Sequence, residues 1–150
     1  MTMKPLLALL ALLAAPLPAQ AAGAGPLVID HPVLRVASPV SKTGAGYMVI
    51  RNTGRVADTL VSVTTAAANR SDLHGSVESG GVVRMISQAS GVPIPAGGRA
   101  VFAPGGLHVM FIGIRKPVPV GTKVPARLIF ARAGAIDVLF TAEGFSPAGG

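Results

Sequence analysis

The 150-residue sequence contains no cysteine and no tryptophan, and aromatic residues make up only 4% of it. We therefore expect neither a disulfide nor a lipid anchor attached through an N-terminal cysteine. Acidic residues are also scarce, with six Asp and Glu against thirteen Lys and Arg. These acidic residues are scattered, and no paired carboxylates, Ser/His/Asp set or phosphate-binding loop indicates an enzyme.

The N-terminus has the pattern of a secretory signal peptide. Lys4 provides a basic start, an apolar run covers residues 6–15, and the small residues Ala19 and Ala21 follow. The run is well short of the ~20 residues that a membrane-spanning helix needs. We therefore predict a signal peptide over residues 1–21 and a periplasmic protein.

The rest of the chain is predicted to form one domain. Cleavage after residue 21 leaves 129 residues, which suits a single hydrophobic core over residues 22–145 and a loose tail at 146–150. Without Lys4 the chain carries a charge of about +6. Such a charge suits acidic partners or anionic lipid surfaces as well as simple solubility. Nucleic acid is not expected, because the arginines are dispersed and aromatic residues are few.

Short apolar or alternating runs separated by Gly and Pro predict an all-β protein. No amphipathic helix is found, and residues 66–69 are expected to make a helical turn at most. The pattern is typical of an antiparallel β-sandwich or barrel. Candidate strands cover residues 27–30, 33–37, 46–52, 59–64, 72–75, 82–87, 99–103, 107–113, 124–131 and 135–141.

Two histidines and two methionines fall within one stretch of the chain and suggest a metal site. They are His74, Met85 after ten intervening residues, His108 after twenty-two more, and Met110 two positions on. Imidazole nitrogen and thioether sulfur form a soft ligand set, which favours Cu(I) over Mg, Ca or Mn. We therefore interpret these four side chains as a candidate mononuclear copper site. Because imidazole binds metal only when neutral, affinity should weaken in acid.

Strand geometry is compatible with this interpretation. Alternation places His108 and Met110 on one face, ~7 Å apart along the strand, with Val109 on the core face. A glycine turn lies between the segments that carry His74 and Met85, so these segments are expected to form a hairpin. The four groups are then predicted to meet near one rim of the sandwich.

Each of these residues also has an ordinary structural explanation. A methionine in a strand is usually core filler, and Met48 is assigned that role. His31, just before Pro32, is interpreted as a turn or edge residue, and a secondary ligand role for it stays open. Two rival functions are a non-metal β-sandwich adhesin or assembly module, and a small copper-dependent redox enzyme.

Taken in order, the four residues resemble the periplasmic copper chaperones of the PCuAC family. The similarity spans about residues 30–140. The motifs that support it are Gly81-Val82-Val83-Arg84-Met85, Val92-Pro93-Ile94-Pro95 and Pro104-Gly105-Gly106-Leu107-His108-Val109-Met110.

The resemblance implies a cupredoxin-like, Greek-key β-sandwich with Cu(I) held by two His and two Met. It further implies a monomer that delivers copper toward the CuA centre of cytochrome c oxidase subunit II, or to another copper chaperone. Family members often carry an extra Met soon after the first His, where this chain reads Gly75-Ser76-Val77-Glu78. Some also extend into a His/Met-rich tail, which this sequence lacks, so one Cu(I) site is expected.

Overall fold

The computed structural model describes residues 25–145, so the predicted signal peptide and the predicted tail at 146–150 lie outside the described residues. Within that range all regular secondary structure is β, which confirms the all-β prediction. No helix in this part of the chain has the length and apolar character needed to cross a membrane. The ten strands are β1 (Leu27–Val36), β2 (Thr43–Asn52), β3 (Asp58–Thr64), β4 (Ala68–Ser79), β5 (Val82–Ser87), β6 (Val92–Ile94), β7 (Arg99–Phe102), β8 (His108–Ile114), β9 (Lys123–Phe130) and β10 (Gly134–Gly144).

The strands form one continuous hydrogen-bonded array that folds over a single core. Their order is β5-β4-β8-β2-β1-β10-β9-β3-β6, and β7 also pairs with β2. The Ser71 hydroxyl on β4 donates to the Val63 carbonyl on β3 at 2.5 Å, although these strands lie far apart in the order. The sheet therefore turns back on itself as a sandwich, and strands that lie far apart in the hydrogen-bonded order face each other.

One pairing departs from the antiparallel prediction. β1 and β10 run parallel, with Val36 opposite Gly144, whereas the other paired strands of the described chain are antiparallel. A two-residue turn can join only antiparallel strands. β1 and β10 are the first and last strands in sequence, so no short turn fixes their relative direction.

Alternate residues along the strands fill the core. One glycine makes room for two of the largest side chains in it. The rings of Phe111 and Phe140 pack edge-to-face with centroids 5.4 Å apart. Gly46 lies against both rings, and a Cβ at this position would come within 2.8 Å of Phe111. Close packing of these aromatic rings thus requires a residue without a side chain on β2.

Several strand boundaries differ from the prediction. The segments predicted as two strands at 27–30 and 33–37 form the single strand β1, whose register with β2 shifts between Asp30 and Val33. His31 lies at this irregularity with φ of 48°, so the turn signal marks a distortion inside one strand. Residues 66–69, for which a helical turn was the most expected, form no helical turn, and β4 begins at Ala68.

Two further strands were misjudged for lack of an apolar pattern. β4 extends well beyond the predicted segment 72–75, since its first part, up to His74, pairs with β8 and its last part, from His74 onward, pairs with β5. β6 was not predicted, because it has only three residues and Pro93 at its centre. Proline is tolerated there because β6 is an edge strand.

The buried carboxylate of Asp58 links the start of β3 to the turn between β9 and β10. It accepts hydrogen bonds from the backbone N–H groups of Thr59 and Arg132, both at 2.8 Å, and of Ala133 at 2.9 Å. Burial by itself would raise the pKa of the Asp58 carboxyl, but these donors together hold that pKa below its ordinary value.

Because the folded pKa of Asp58 is lowered, its stabilising contribution is present at neutral pH and is lost as the pH falls through that pKa. Asp58→Asn replaces one accepting oxygen with an amide donor facing a backbone N–H. We expect it to lower the free energy of unfolding by about 1–3 kcal/mol at neutral pH and to flatten the acid limb of the stability curve. Urea unfolding across the acid range measures both. The control is Asp137→Asn, which removes the carboxylate of an exposed ion pair; if it matches Asp58→Asn, the buried-cap explanation is wrong.

Candidate metal centre

The register between β4 and β8 places two histidines directly opposite each other. His74 pairs with His108, and their ring centroids lie 5.7 Å apart with the planes at 81°. Directly opposed residues on antiparallel strands project from the same face of a sheet. The neighbouring pair, Leu73 and Val109, is buried in the core, so both histidines lie on the outer face.

The two methionines reach the same face from the neighbouring positions. Met110 lies two residues beyond His108 on β8, opposite Asp72 on one side and Ala45 on the other. Met85 on β5 is opposite Ser76, which lies two residues beyond His74 on β4. All four predicted ligands therefore project from the outer face of the β5-β4-β8-β2 part of the sheet, next to its β5 edge.

Three of these side chains line one shallow depression. Its volume is about 330 Å³, and Met85, His108 and Met110 all contribute to its wall. His74 is not a lining residue and lies beside the depression, against the ring of His108. The structure thus brings the four groups together on neighbouring strands, although they are distant in sequence.

A glycine turn orients the ring of His108. Gly105 has φ of 81°, a left-handed conformation that favours glycine, and the turn presents the Gly106 carbonyl to its surroundings. This carbonyl lies 3.2 Å from Nδ1 of His108 and also accepts the backbone N–H of Ser76 at 3.1 Å. Because a carbonyl can only accept, Nδ1 carries the proton, and Nε2 of the neutral ring has a free lone pair.

The two rings also contain the polar atoms that best fit a metal. Nδ1 of His74 and Nε2 of His108 are buried, and neither has a hydrogen-bond partner among the described residues. A buried polar atom without a partner costs about 1–3 kcal/mol, so such atoms are uncommon outside functional sites. Together with the two sulfur atoms, they provide a neutral N and S donor set at this face.

Oxygen donors contribute less to this face. Asp72 lies opposite Met110, but its carboxylate pairs with Arg70 at 2.9 Å. Within residues 25–145 no group of three or more His, Cys, Asp and Glu side chains comes close enough to hold an ion. A metal at this position would therefore depend on the methionine sulfurs for binding. Thioether sulfur favours a soft ion such as Cu(I).

Some lining residues were missed by the sequence analysis. Ala45 and Tyr47 of β2 and Arg35 of β1 complete the wall of the depression, and the Arg35 guanidinium lies 5.7 Å from the centre of the Tyr47 ring. Glu143 on β10 lies 3.6 Å from Arg35 and offsets its charge. Alternation within β2 places Ala45 and Tyr47 on one face, but no sequence signal identifies β2 as the neighbour of β8.

Accessibility is graded across the four residues. Met85 is 61% exposed on an edge strand, whereas His108 is only 5% exposed. Met48 is buried in the core, as predicted, and His31 lies on β1 and does not line the depression. A partner molecule approaching this face therefore reaches the sulfur of Met85 before it reaches the ring of His108.

Comparison with known proteins assigns the family. Residues 27–142 match the LpqE-like family, which is described as a lipoprotein family. The chain belongs to the LpqE-like family. Lxx21020 of Leifsonia xyli subsp. xyli (strain CTCB07), named as a lipoprotein, is 34% identical to it over 104 residues. That match covers 69% of the LpqE-like chain but only 63% of Lxx21020, less than two thirds of the relative.

Solved structures of PCuAC domains are similar to this LpqE-like chain. The copper-bound PCuAC domain from PmoF2 aligns with a TM-score of 0.67 and 26% identity, covering 81% of this chain and 95% of that domain. The solution structure of Cu(I)-DR1885 from Deinococcus radiodurans aligns with a TM-score of 0.63 and 27% identity, covering 77% of this chain and 76% of that one. These similarities confirm the predicted cupredoxin-like fold.

The orientation of His108 generates a direct prediction. In the metal-free protein above the titration range of its histidines, His108 should be the Nδ1–H tautomer, because the Gly106 carbonyl needs a donor. Long-range ¹H–¹⁵N correlation spectra of the imidazole rings distinguish the two tautomers. Exposed His31 serves as the reference ring in the same spectra. A neutral His108 with its proton on Nε2 would contradict the assignment of a free lone pair to that atom.

Proposed function

We propose that this protein binds one Cu(I) ion through His74, Met85, His108 and Met110 and passes it to another protein. The observation that carries the proposal is the pair of buried, unpartnered ring nitrogens, which share one sheet face with two thioether sulfurs. Copper-bound structures of similar domains support copper as the cargo. The proposal describes binding and transfer, with no catalytic turnover.

The donor set suits transfer as well as binding. All four donors are neutral, so a Cu(I) ion keeps its single positive charge and is held without an anionic ligand. Exposed Met85 lies on an edge strand, where a partner can replace it first, while His108 and the β8 strand keep the ion in place. Stepwise exchange of this kind avoids release of the free ion.

We expect anaerobic titration with Cu(I) against a chromogenic chelator to give one equivalent bound. His74→Asn, His108→Asn, Met85→Leu and Met110→Leu should each weaken the affinity by at least about tenfold, because each removes one donor. The leucine substitutions keep the size of the side chain and remove only the sulfur.

Two matched variants act as controls for that titration. Met48→Leu repeats the methionine substitution in the core. His31→Asn repeats the histidine substitution at an exposed position, where the backbone is left-handed and asparagine is tolerated. Both should bind Cu(I) like the unchanged protein. If stoichiometric binding survives all four ligand substitutions, or if the controls lose it equally, the site lies elsewhere.

We also propose that the protein is exported to the periplasm as a monomer. The recipient we propose is the CuA centre of cytochrome c oxidase subunit II, and another copper chaperone is the alternative. The PCuAC resemblance supports this assignment, and the lipoprotein name of the relative Lxx21020 agrees with export.

Transfer to that recipient has a direct optical readout. Mixing the Cu(I)-loaded protein with the apo soluble domain of subunit II should deplete the donor of copper and, after oxidation, produce the purple CuA absorbance. Met85→Leu should change the transfer rate more than Met48→Leu, since Met85 is the exposed donor. Transfer no faster than that from a small-molecule Cu(I) complex would contradict this recipient.

A further inference from the structure

One end of the sandwich, beyond the far end of β8 from His108, combines exposed apolar residues with cations that form no ion pair among residues 25–145. We call it the turn end and define it by six residues: Val40, Val120, Phe145, Lys42, Arg115 and Lys116. The turn end lies where β1, β8 and β10 finish and where β2 and β9 begin.

Backbone hydrogen bonds hold the turns of this end together. The Val118 N–H donates to the Pro39 carbonyl at 2.7 Å, and the Ile114 N–H donates to the Lys42 carbonyl at 2.9 Å. The Phe145 N–H donates to the Val36 carbonyl at 3.1 Å, beside the turn that closes between Pro119 and Thr122. Three separate chain segments are thus fixed side by side and present their tips in one direction.

The apolar tips are the most exposed large hydrophobic residues in the described chain. Val40 and Val120 are each 70% exposed and Phe145 is 67% exposed. Val40 lies within the turn from Ser38 to Ser41, and Val120 follows Pro119 in the next turn. Val118, two residues before Val120, is buried, and its N–H donates to Pro39 next to Val40, so both valine tips adjoin a packed position.

The charge at the turn end is positive and not neutralised. Lys42, Arg115 and Lys116 are exposed, and none of them forms an ion pair with any residue between 25 and 145. Of the six acidic residues in the sequence, Glu143 is the one that β10 carries to this end, and it already faces Arg35. Among residues 25–145, this end therefore offers no anion to pair with its three cations.

We propose that the turn end docks on the surface of an anionic lipid bilayer. Apolar tips entering the headgroup region and cations contacting lipid phosphates are the two contributions that drive peripheral membrane binding. A lipid surface fits better than a folded acidic protein, because isolated turn tips offer neither a groove nor the area of a stable protein interface.

Docking in this way has a consequence for the candidate metal centre, and this consequence alone rests on the proposed function. His108 begins β8 and Ile114 ends it, so the two are separated by about 20 Å along the strand at the usual rise per residue. The β4–β5 hairpin with Met85 extends from the His108 end of β8. The donors project from the outer face of the sheet, across the strand direction, so the cargo would point sideways along the bilayer surface and stay open to a partner on the same membrane.

A single tryptophan tests the orientation directly, because the sequence contains none. Val120→Trp places the probe at the turn end, and Val56→Trp places it at an exposed site beyond the opposite end of β2. With vesicles of phosphatidylglycerol and phosphatidylcholine, Trp emission from the Val120→Trp protein should shift to the blue and be quenched by brominated lipid. The Val56→Trp protein should show neither change. Both chains are otherwise identical, so contacts made elsewhere affect them equally.

Charge reversal provides the second measurement. The double variant Lys42→Glu with Lys116→Glu should bind the anionic vesicles at least about tenfold more weakly, as measured by co-sedimentation. Each cation near the surface contributes to the binding free energy. The matched control, Arg84→Glu with Arg99→Glu, makes the same change in net charge on β5 and β7. It should alter binding by less than about twofold, and pure phosphatidylcholine should bind neither protein.

Three outcomes would overturn the proposal. Equal losses in the two charge-reversal proteins would mean that only net charge matters. Equal Trp responses at positions 56 and 120 would mean that no particular end faces the lipid. A lack of vesicle binding by the unchanged protein at low ionic strength would exclude a lipid partner and leave an acidic protein as the remaining type of partner.

Discussion

The pairing of β4 with β8 is the constraint on which the rest of the candidate metal centre depends. Because side chains alternate along a strand, a shift of one strand by one residue would turn its histidine into the core and expose its apolar neighbour, Leu73 on β4 or Val109 on β8. The apolar residues of the inner face therefore fix the positions of the polar residues on the outer face. Hydrophobic burial sets the register, and the ligand geometry follows from it.

The same two strands serve both faces of the sheet, which explains why so few residues are needed. Phe111 packs on Phe140 in the core, while Met110, the preceding residue, projects outward. The Gly106 carbonyl ties the β4 backbone to the turn before β8 and orients the His108 ring at the same time. Rigidity of the ligands thus comes from backbone bonds and core packing, so that few side-chain contacts are required.

The alternating pattern was sufficient to predict which ligands share a face within a strand. His108 and Met110 lie on the outer face as the period of two requires, and the glycine turn at 79–81 does join the strands that carry His74 and Met85. The alternating pattern could not predict which strands lie next to each other in the sheet. That β2 flanks β8, and so supplies Ala45 and Tyr47 to the site, depends on contacts between segments more than sixty residues apart.

The length of β4 was predicted incorrectly for a related reason. Residues of β4 such as Asn69 and Arg70 carry no apolar signal, because this part of the strand is ordered by hydrogen bonds to β8 and not by side-chain burial. The parallel pairing of β1 with β10 and the Asp58 cap likewise depend on contacts between segments far apart in sequence. The local sequence pattern reflects side-chain burial. It therefore predicts which face of a strand is buried better than it predicts which strands pair with each other.

The distribution of exposed apolar residues gives the domain two distinct ends. In the interior of the sandwich, apolar residues pack against each other. At its ends, exposed apolar residues must face water or a partner. At one end they flank Met85, the most exposed of the four candidate ligands. At the other they lie among cations that form no ion pair within the described part of the chain. A domain held by its cationic end keeps the donor end free, and the stiffness of the paired β4 and β8 strands sets the distance between the two.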